Sequence, residues 1–238
     1  MLSKNTIKLI SSLSTKKFRA QHQLFVVEGV KGVKEFLDSS FELQHLFATE
    51  ALFYAETELI SEKELRKISS LTSPNTALAV FKIPKPLETN TNGLILALDN
   101  IRDPGNLGTI IRLCDWFGIQ TLVCNALSVD CYNPKVVQAS MGSLTRVNII
   151  YTNLQDYLKS SKKAIFGTFM EGTSIYKEDL PQEGIIVMGN EANGISSEIE
   201  PFINKKLSIP RFGTLQATES LNVATATAVV LSEFRRLE

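Results

Sequence analysis

After residue 93 the chain alternates short apolar-rich runs with stretches of helical periodicity, and this alternation restricts its fold more than any other feature. The runs are Leu94–Leu98, Thr121–Cys124, Ala164–Phe169, Ile185–Met188 and Lys206–Ile209. Leu94–Leu98 and Ile185–Met188 are apolar throughout, as expected of strands buried on both faces. Between and after them, helices are predicted at Leu107–Phe117, Pro134–Ala139, Asn153–Ser160, Ser197–Phe202 and Leu221–Arg236. Strands separated by helices imply crossover connections, hence an α/β fold with a mainly parallel sheet covered on both sides. Ligands in such sheets gather beyond the strands' carboxyl ends, and the polar clusters of this chain follow its strands.

Upstream lies a break in composition, Ile83-Pro84-Lys85-Pro86-Leu87-Glu88-Thr89-Asn90-Thr91-Asn92-Gly93. Two prolines followed by polar turn formers leave little to bury and disfavour helix. We read residues 86–92 as a linker between a domain at 1–85 and a larger one at 93–238. The first is a small α/β unit. Its predicted helices are Asn5–Lys17, Gly29–Leu37 and Glu62–Ile68, and its strands Leu24–Val27, Leu43–Ala48 and Ala77–Ile83. The formal net charge is zero overall, yet residues 1–34 carry seven cations and only Glu28 as an acid, a local charge of +6. Such an edge suits a phosphate backbone, although solvated helices also carry one. Lys16, Lys17, Arg19 and Lys31 are the candidate contacts.

Several classes of function are excluded or disfavoured. No apolar run approaches a membrane span, and Met1-Leu2-Ser3-Lys4-Asn5 lacks a secretory core, so a cytoplasmic protein without membrane partners is expected. Cys114, Cys124 and Cys131 have no metal-ligand spacing and are expected to be buried free thiols. No metal is expected. The only histidines, His22 and His45, precede the linker, which excludes an imidazole base or a Ser-His-Asp arrangement within 93–238.

Three segments could carry chemistry. In Leu98-Asp99-Asn100-Ile101-Arg102-Asp103-Pro104-Gly105-Asn106-Leu107-Gly108, a strand ends, a turn follows, and a helix begins near Asn106. Arg112 lies farther along that helix in an apolar stretch, where a guanidinium needs an anionic partner. Asp115 is one candidate. In Val187-Met188-Gly189-Asn190-Glu191, Gly189 ends a buried strand where a side chain would block either a ligand or neighbouring backbone. In the third, Ile209-Pro210 closes a strand, and a polar loop leads to a helix whose first turn is expected to hold Ser220, Leu221 and Asn222. Helix starts of this kind offer unpaired N–H groups to a small ligand. The helix itself is rich in small apolar residues on every side, which predicts burial. There is no Gly-Lys-Ser/Thr phosphate loop and no Gly-x-Gly-x-x-Gly run.

Together the three segments resemble the signature motifs of the SpoU-type RNA ribose 2′-O-methyltransferases of the SPOUT superfamily. Asn106 and Arg112 match the first motif, Gly189 and Glu191 the second, and Ile209-Pro210 with Ser220-Leu221-Asn222 the third. The likeness runs from about residue 93 to the end. Phe25-Val26-Val27-Glu28-Gly29 is similar to the substrate-binding domain often joined to that catalytic domain, itself of a ribosomal-protein fold that grips RNA turns. One departure is a longer loop between Pro210 and Ser220, with Arg211 and Gln216-Ala217-Thr218-Glu219 added. The resemblance implies a C-terminal trefoil-knot domain, S-adenosylmethionine as cofactor and a homodimer. It places the cofactor at Gly189, Ile209 and Leu221, and the reaction at Asn106, Arg112, Glu191, Ser220 and Asn222. The substrate it implies is structured RNA, ribosomal RNA ahead of transfer RNA; a non-catalytic RNA-binding or assembly factor on the same fold is the rival.

Overall fold

A computed structural model describes residues 2–74, 76–85, 92–214 and 220–236. Its first elements are α1 (Lys4–Ser12), α2 (Lys16–His22), β1 (Leu24–Glu28), α3 (Val30–Leu37), β2 (Leu43–Ala48), β3 (Glu58–Leu59), α4 (Glu62–Ile68) and β4 (Ala77–Lys82). There follow β5 (Leu94–Leu98), α5 (Pro104–Trp116), β6 (Thr121–Asn125), α6 (Pro134–Ser140), β7 (Asn148–Thr152) and α7 (Leu154–Ser160). The last are β8 (Ile165–Ser174), β9 (Gly184–Met188), β10 (Lys205–Ser208) and α8 (Val223–Phe234).

Contacts divide the chain into two compact units, Met1–Pro86 with Asp130–Thr145, and Leu87–Val129 with Arg146–Glu238. The units therefore interleave along the sequence, whereas a linear division at the proline-rich break was expected. Most of that break, residues 86–91, lies outside the described residues.

The first unit is a four-stranded sheet in the order β1-β4-β2-β3, antiparallel except for the β2–β3 pair. Leu24, Val26, Leu78 and Val80 point to one face and pack with Leu2, Ile10 and Leu13 and with Leu65 and Ile68 of α4. Phe25 and Phe81 point to the other, where they meet Phe36 of α3. The single helix expected over Asn5–Lys17 is two helices. Ser12 Oγ donates to the Leu9 carbonyl at 2.6 Å, Leu13 caps α1, and Thr15 is extended ahead of α2. Short hydroxyl side chains compete with the helix for backbone groups, while Leu13 is drawn into the core. Glu28, in the motif singled out from the sequence, is nearly buried. Its carboxylate accepts from Ser69 Oγ and from the amide (2.9 Å) and hydroxyl (2.6 Å) of Ser70, so it pins the loop after α4.

In the second unit all six strands are parallel, ordered β10-β8-β9-β5-β6-β7. β5 and β9 are buried along their whole length at its centre, as their unbroken apolar sequences require. The chain first builds outward from β5 through β6 to β7, then returns to lay β8, β9 and β10 on the other side. The β5–β9 boundary is therefore a topological switch point. β7 and the short β3 were not foreseen; β7 is a half-buried edge strand. Of the helix expected at Ser197–Phe202, only a 3-10 turn at Glu200–Phe202 forms, where Pro201 cannot donate to a longer helix.

Candidate active site

Where β5 ends, Asp99 is 1% exposed. Its carboxylate accepts from the Ser196 amide at 2.8 Å and from Asn125 Nδ2 at 2.9 Å. Asn125, the last residue of β6, also donates to Asn100 Oδ1 at 2.8 Å, and its Oδ1 accepts from Ser128 Oγ at 2.9 Å. Asn100 adopts a positive φ of 63°, and the Ile101 amide donates to Ser128 Oγ at 3.1 Å. A satisfied polar network of this kind rigidifies the loops it joins. It fixes the carboxyl ends of β5 and β6 and the loop after β9. Asp99, Asn125, Ser128 and Asn190 carry that scaffold, and none was singled out from the sequence. The available signal was an Asp or Asn placed directly after a buried strand.

Gly189 follows β9. A Cβ there would lie 2.1 Å from the Gly194 carbonyl carbon and 2.2 Å from the Ile195 nitrogen. Of the two readings left open, the neighbouring backbone is the obstacle. Asn190 and Gly194 exchange both backbone hydrogen bonds, at 3.0 and 2.8 Å, and Asn190 Nδ2 donates to the Asn100 carbonyl at 2.8 Å. The resulting tight turn presents Glu191 at its tip.

α5 begins at Pro104. Asp103 caps it by accepting from the Asn106 amide at 2.8 Å, which places Asn106 in the first turn. Asn106 Nδ2 donates to Glu191 Oε1, while its Oδ1 accepts from Asn222 Nδ2 at 2.9 Å. Asn222 is itself the cap of α8, its Oδ1 accepting from the amides of Ala224 (3.0 Å) and Thr225 (3.2 Å). Three loops far apart in sequence thus meet in one directed chain, Asn222 to Asn106 to Glu191. Each asparagine uses both ends of its amide, so neither can turn without losing a bond.

The other expected residues fall differently. Arg112 is exposed and has no hydrogen bond or ion pair among the described residues. The apolar stretch around it faces inward through Leu107, Ile110, Ile111 and Cys114. Asp115, weighed as its partner, takes Arg146 Nε at 2.9 Å. Arg112 lies six residues beyond Asn106, about 9 Å along the axis, and takes no part in the network. Ser220 and Leu221 precede α8 instead of forming its first turn, and both are exposed. Ile209 is half-buried one residue beyond β10. α8 is not buried all round: Val223, Thr227, Val230, Leu231 and Phe234 face inward, while Thr225 is exposed and Ala228 and Val229 are half-buried. Gln216-Ala217-Thr218-Glu219 lies outside the described residues.

In the first unit, Lys16, Lys17 and Lys31 are exposed. Arg19 is a correction. It is 2% exposed, with Nε and Nη2 on Asp130 Oδ2 at 2.9 and 2.6 Å and Nη1 on the carbonyls of Leu13 and Ser14 at 2.8 and 2.9 Å. Four of its five donors are used and the side chain is buried, so it is unavailable to a phosphate.

All three cysteines are free and buried, and burial pushes the Cys114 and Cys124 thiols far above their usual range. Among the described residues no cluster of His, Cys, Asp or Glu could hold a metal ion, and no helix is long and apolar enough to cross a membrane. A cavity of about 430 Å³ opens at the amino end of β8, lined by Lys159, Lys162, Lys163, Phe202 and others. It contains none of the motif residues and lies at the end of the sheet where ligands do not collect.

Comparison with known proteins bears on the fold and the family. The SpoU rRNA Methylase family model matches residues 93–232, and the MRM3-like substrate binding domain model matches residues 4–79. The 23S rRNA (guanosine(2553)-2′-O)-methyltransferase RlmP of Bacillus subtilis is 28% identical over 240 residues, covering 96% of this chain and 95% of the relative. A solved structure of a TrmH-family protein from Porphyromonas gingivalis is 40% identical, with a TM-score of 0.90 and complete coverage of both chains. The AdoMet-bound rRNA methyltransferase from Sinorhizobium meliloti is 27% identical with a TM-score of 0.87, covering 100% of this chain and 96% of that one. The chain belongs to the SpoU rRNA methylase family, with an MRM3-like substrate-binding domain ahead of the methylase domain.

Proposed function

We propose that the chain transfers the methyl group of S-adenosylmethionine to a ribose 2′-hydroxyl of ribosomal RNA. The observation that carries this reading is the Asn222–Asn106–Glu191 chain, which draws the three motif loops into one site. RlmP acts, by its name, on a 23S rRNA guanosine 2′-O, and the Sinorhizobium meliloti structure holds AdoMet.

The residues present suit that cofactor. Ile209 and Leu221 are apolar yet not buried, Leu221 being 47% exposed, and both stand on loops beyond the carboxyl ends of strands. Together with the backbone at Gly189 they would hold its adenosine and methionine parts. Bound there, the cofactor supplies an electrophilic methyl group on a sulfonium. The chain's own residues do the rest. Displacement at carbon demands alignment, and the fully committed amides of Asn106 and Asn222 provide a rigid frame, with Glu191 and Ser220 positioning the ribose. Arg112 is free to grip an RNA phosphate. A guanidinium stays protonated and is no base, so it favours negative charge on the ribose oxygen electrostatically instead.

Lys16, Lys17 and Lys31 contact the RNA backbone from the first unit. A homodimer belongs to the same proposal: Trp116 of α5 is 83% exposed, and Ala228 and Val229 of α8 are not fully covered. Large apolar side chains left open in this way mark an interface, across which site residues could act. The trefoil threading, a cytoplasmic location and independence of metal complete the reading. Incubation of ribosomal RNA and transfer RNA, separately, with the protein and methyl-labelled cofactor tests the substrate. Label in ribosomal RNA alone is expected; label confined to transfer RNA would reverse the assignment.

A further inference from the structure

Residues Asp130–Thr145 lie in sequence between β6 and β7, inside the methylase stretch, yet they pack as part of the first unit. Three contacts hold them there. Arg19 binds Asp130 through two nitrogens, and the pair is almost closed to solvent. The Phe25 ring lies 4.7 Å from that of Tyr132 and 5.5 Å from that of Phe36, so the segment and α3 share one face of the four-stranded sheet. At Gly142, with φ of +92°, a Cβ would fall 2.7 Å from Glu35 Cγ on α3. The segment is thus an integral layer of this unit.

Held so, α6 buries Val136, Val137 and Ser140 and exposes Lys135 and Gln138. Met141 follows, 45% exposed and in the left-handed region at φ 49°. That conformation ends α6, the Met141 amide donating to the Gln138 carbonyl as helix caps do, and it leaves the side chain in the open beside Lys135 and Gln138. On the same face of the sheet, α3 exposes Lys31 and Lys34; the acids nearby are the half-buried Glu35 and the exposed Asp38.

We propose that Asp130–Thr145 forms part of the RNA-contacting surface, with Lys135 on a phosphate, Gln138 on the sugar-phosphate backbone and Met141 against an unstacked base or sugar. Unpaired RNA regions splay bases that apolar side chains can cover, and phosphate contacts set the register. The inference rests on the reading of the first unit as RNA-binding. Its consequence is that the first unit's share of the RNA grip is not confined to residues 1–85, because a stretch of the methylase sequence completes it.

The test uses the full chain and a ribosomal RNA fragment, with affinity measured across a range of salt concentrations. Lys135→Ala should weaken binding and reduce the slope of log affinity against log salt by about 0.7–0.9, one phosphate's share. Met141→Gly should relieve the backbone yet weaken RNA binding, with the melting temperature unchanged or raised; a purely structural role would not separate the two. Cofactor affinity should stay at the parental value in both variants. Unchanged RNA affinity in both, alongside a loss for Lys31→Ala, overturns this inference alone. No loss for Lys16→Ala, Lys17→Ala and Lys31→Ala either would overturn the RNA-binding reading of the whole unit.

Discussion

Replacing Asn222 by aspartate tests the site network in a way that truncation cannot. The carboxylate keeps the helix cap, since Asn222 accepts from Ala224 and Thr225 through an oxygen that aspartate also has. What it removes is the donor. In the native chain hydrogen bonds run from Asn222 to Asn106 to Glu191, with a single carboxylate at the end. After Asn222→Asp, one asparagine amide stands between two carboxylates and its oxygen faces an acceptor. Loss of one hydrogen bond costs about 1 kcal/mol, which for a chain of 238 residues lowers the melting temperature by about 2–4 °C. Position 222 is exposed, so charge repulsion adds little to stability. Its effect should fall on the orientation of Asn106, and methyl transfer should drop far more than stability. Asn222→Ser retains a cap without the second charge and should keep more activity. The two cap amides favour the charged carboxyl and the facing Asn106 oxygen disfavours it, so the pH at which a protonated oxygen restores the donor shows which of the two prevails. Melting curves and initial rates of methyl transfer at several pH values read all three effects. Parental turnover by Asn222→Asp at neutral pH would remove the directed network from the account.

Other outcomes follow from single positions. Arg112→Ala should abolish methyl transfer and leave cofactor affinity, measured by calorimetry, close to the parental value; equal turnover would exclude the guanidinium from the reaction. Gly189→Ala sets a methyl group 2.1 Å from backbone and should cost about 3 kcal/mol in chemical denaturation, with a fall in cofactor binding. Glu64 accepts from the amides of Ser61 and Leu2, which holds its carboxyl down at about 2 from an ordinary 4.5. A depressed folded-state pKa stabilises above the unfolded value and is lost as pH falls through the folded one. The stability difference between the parent and Glu64→Gln should therefore be full above pH 4.5 and shrink towards pH 2.

What the sequence disclosed and what it hid separate along a physical line. β2, α4 and β5 could be bounded to the residue, because their periodicity and caps are local. Asn106, Glu191 and Asn222 were singled out through the resemblance of their loops to family motifs; their own context showed only that each follows a buried strand or opens a helix. Arg19 was misread. Its neighbours suggest a solvated basic helix, and the partner that buries it, Asp130, lies 111 residues away. Arg112 was misread in the opposite sense, since an apolar stretch of helix still has an outer face. The placement of Asp130–Thr145 and the Asp99–Asn125 scaffold were equally hidden, because pattern reports that a residue is buried but not against what.

The most direct test of the account is the chemical position of the transferred methyl group. Ribosomal RNA incubated with the protein and methyl-labelled S-adenosylmethionine should carry the label on ribose, seen as an alkali-resistant linkage after the modified nucleotide, and should lose it with Arg112→Ala. Label found on a base, or no incorporation into RNA by a folded protein that binds the cofactor, would contradict it.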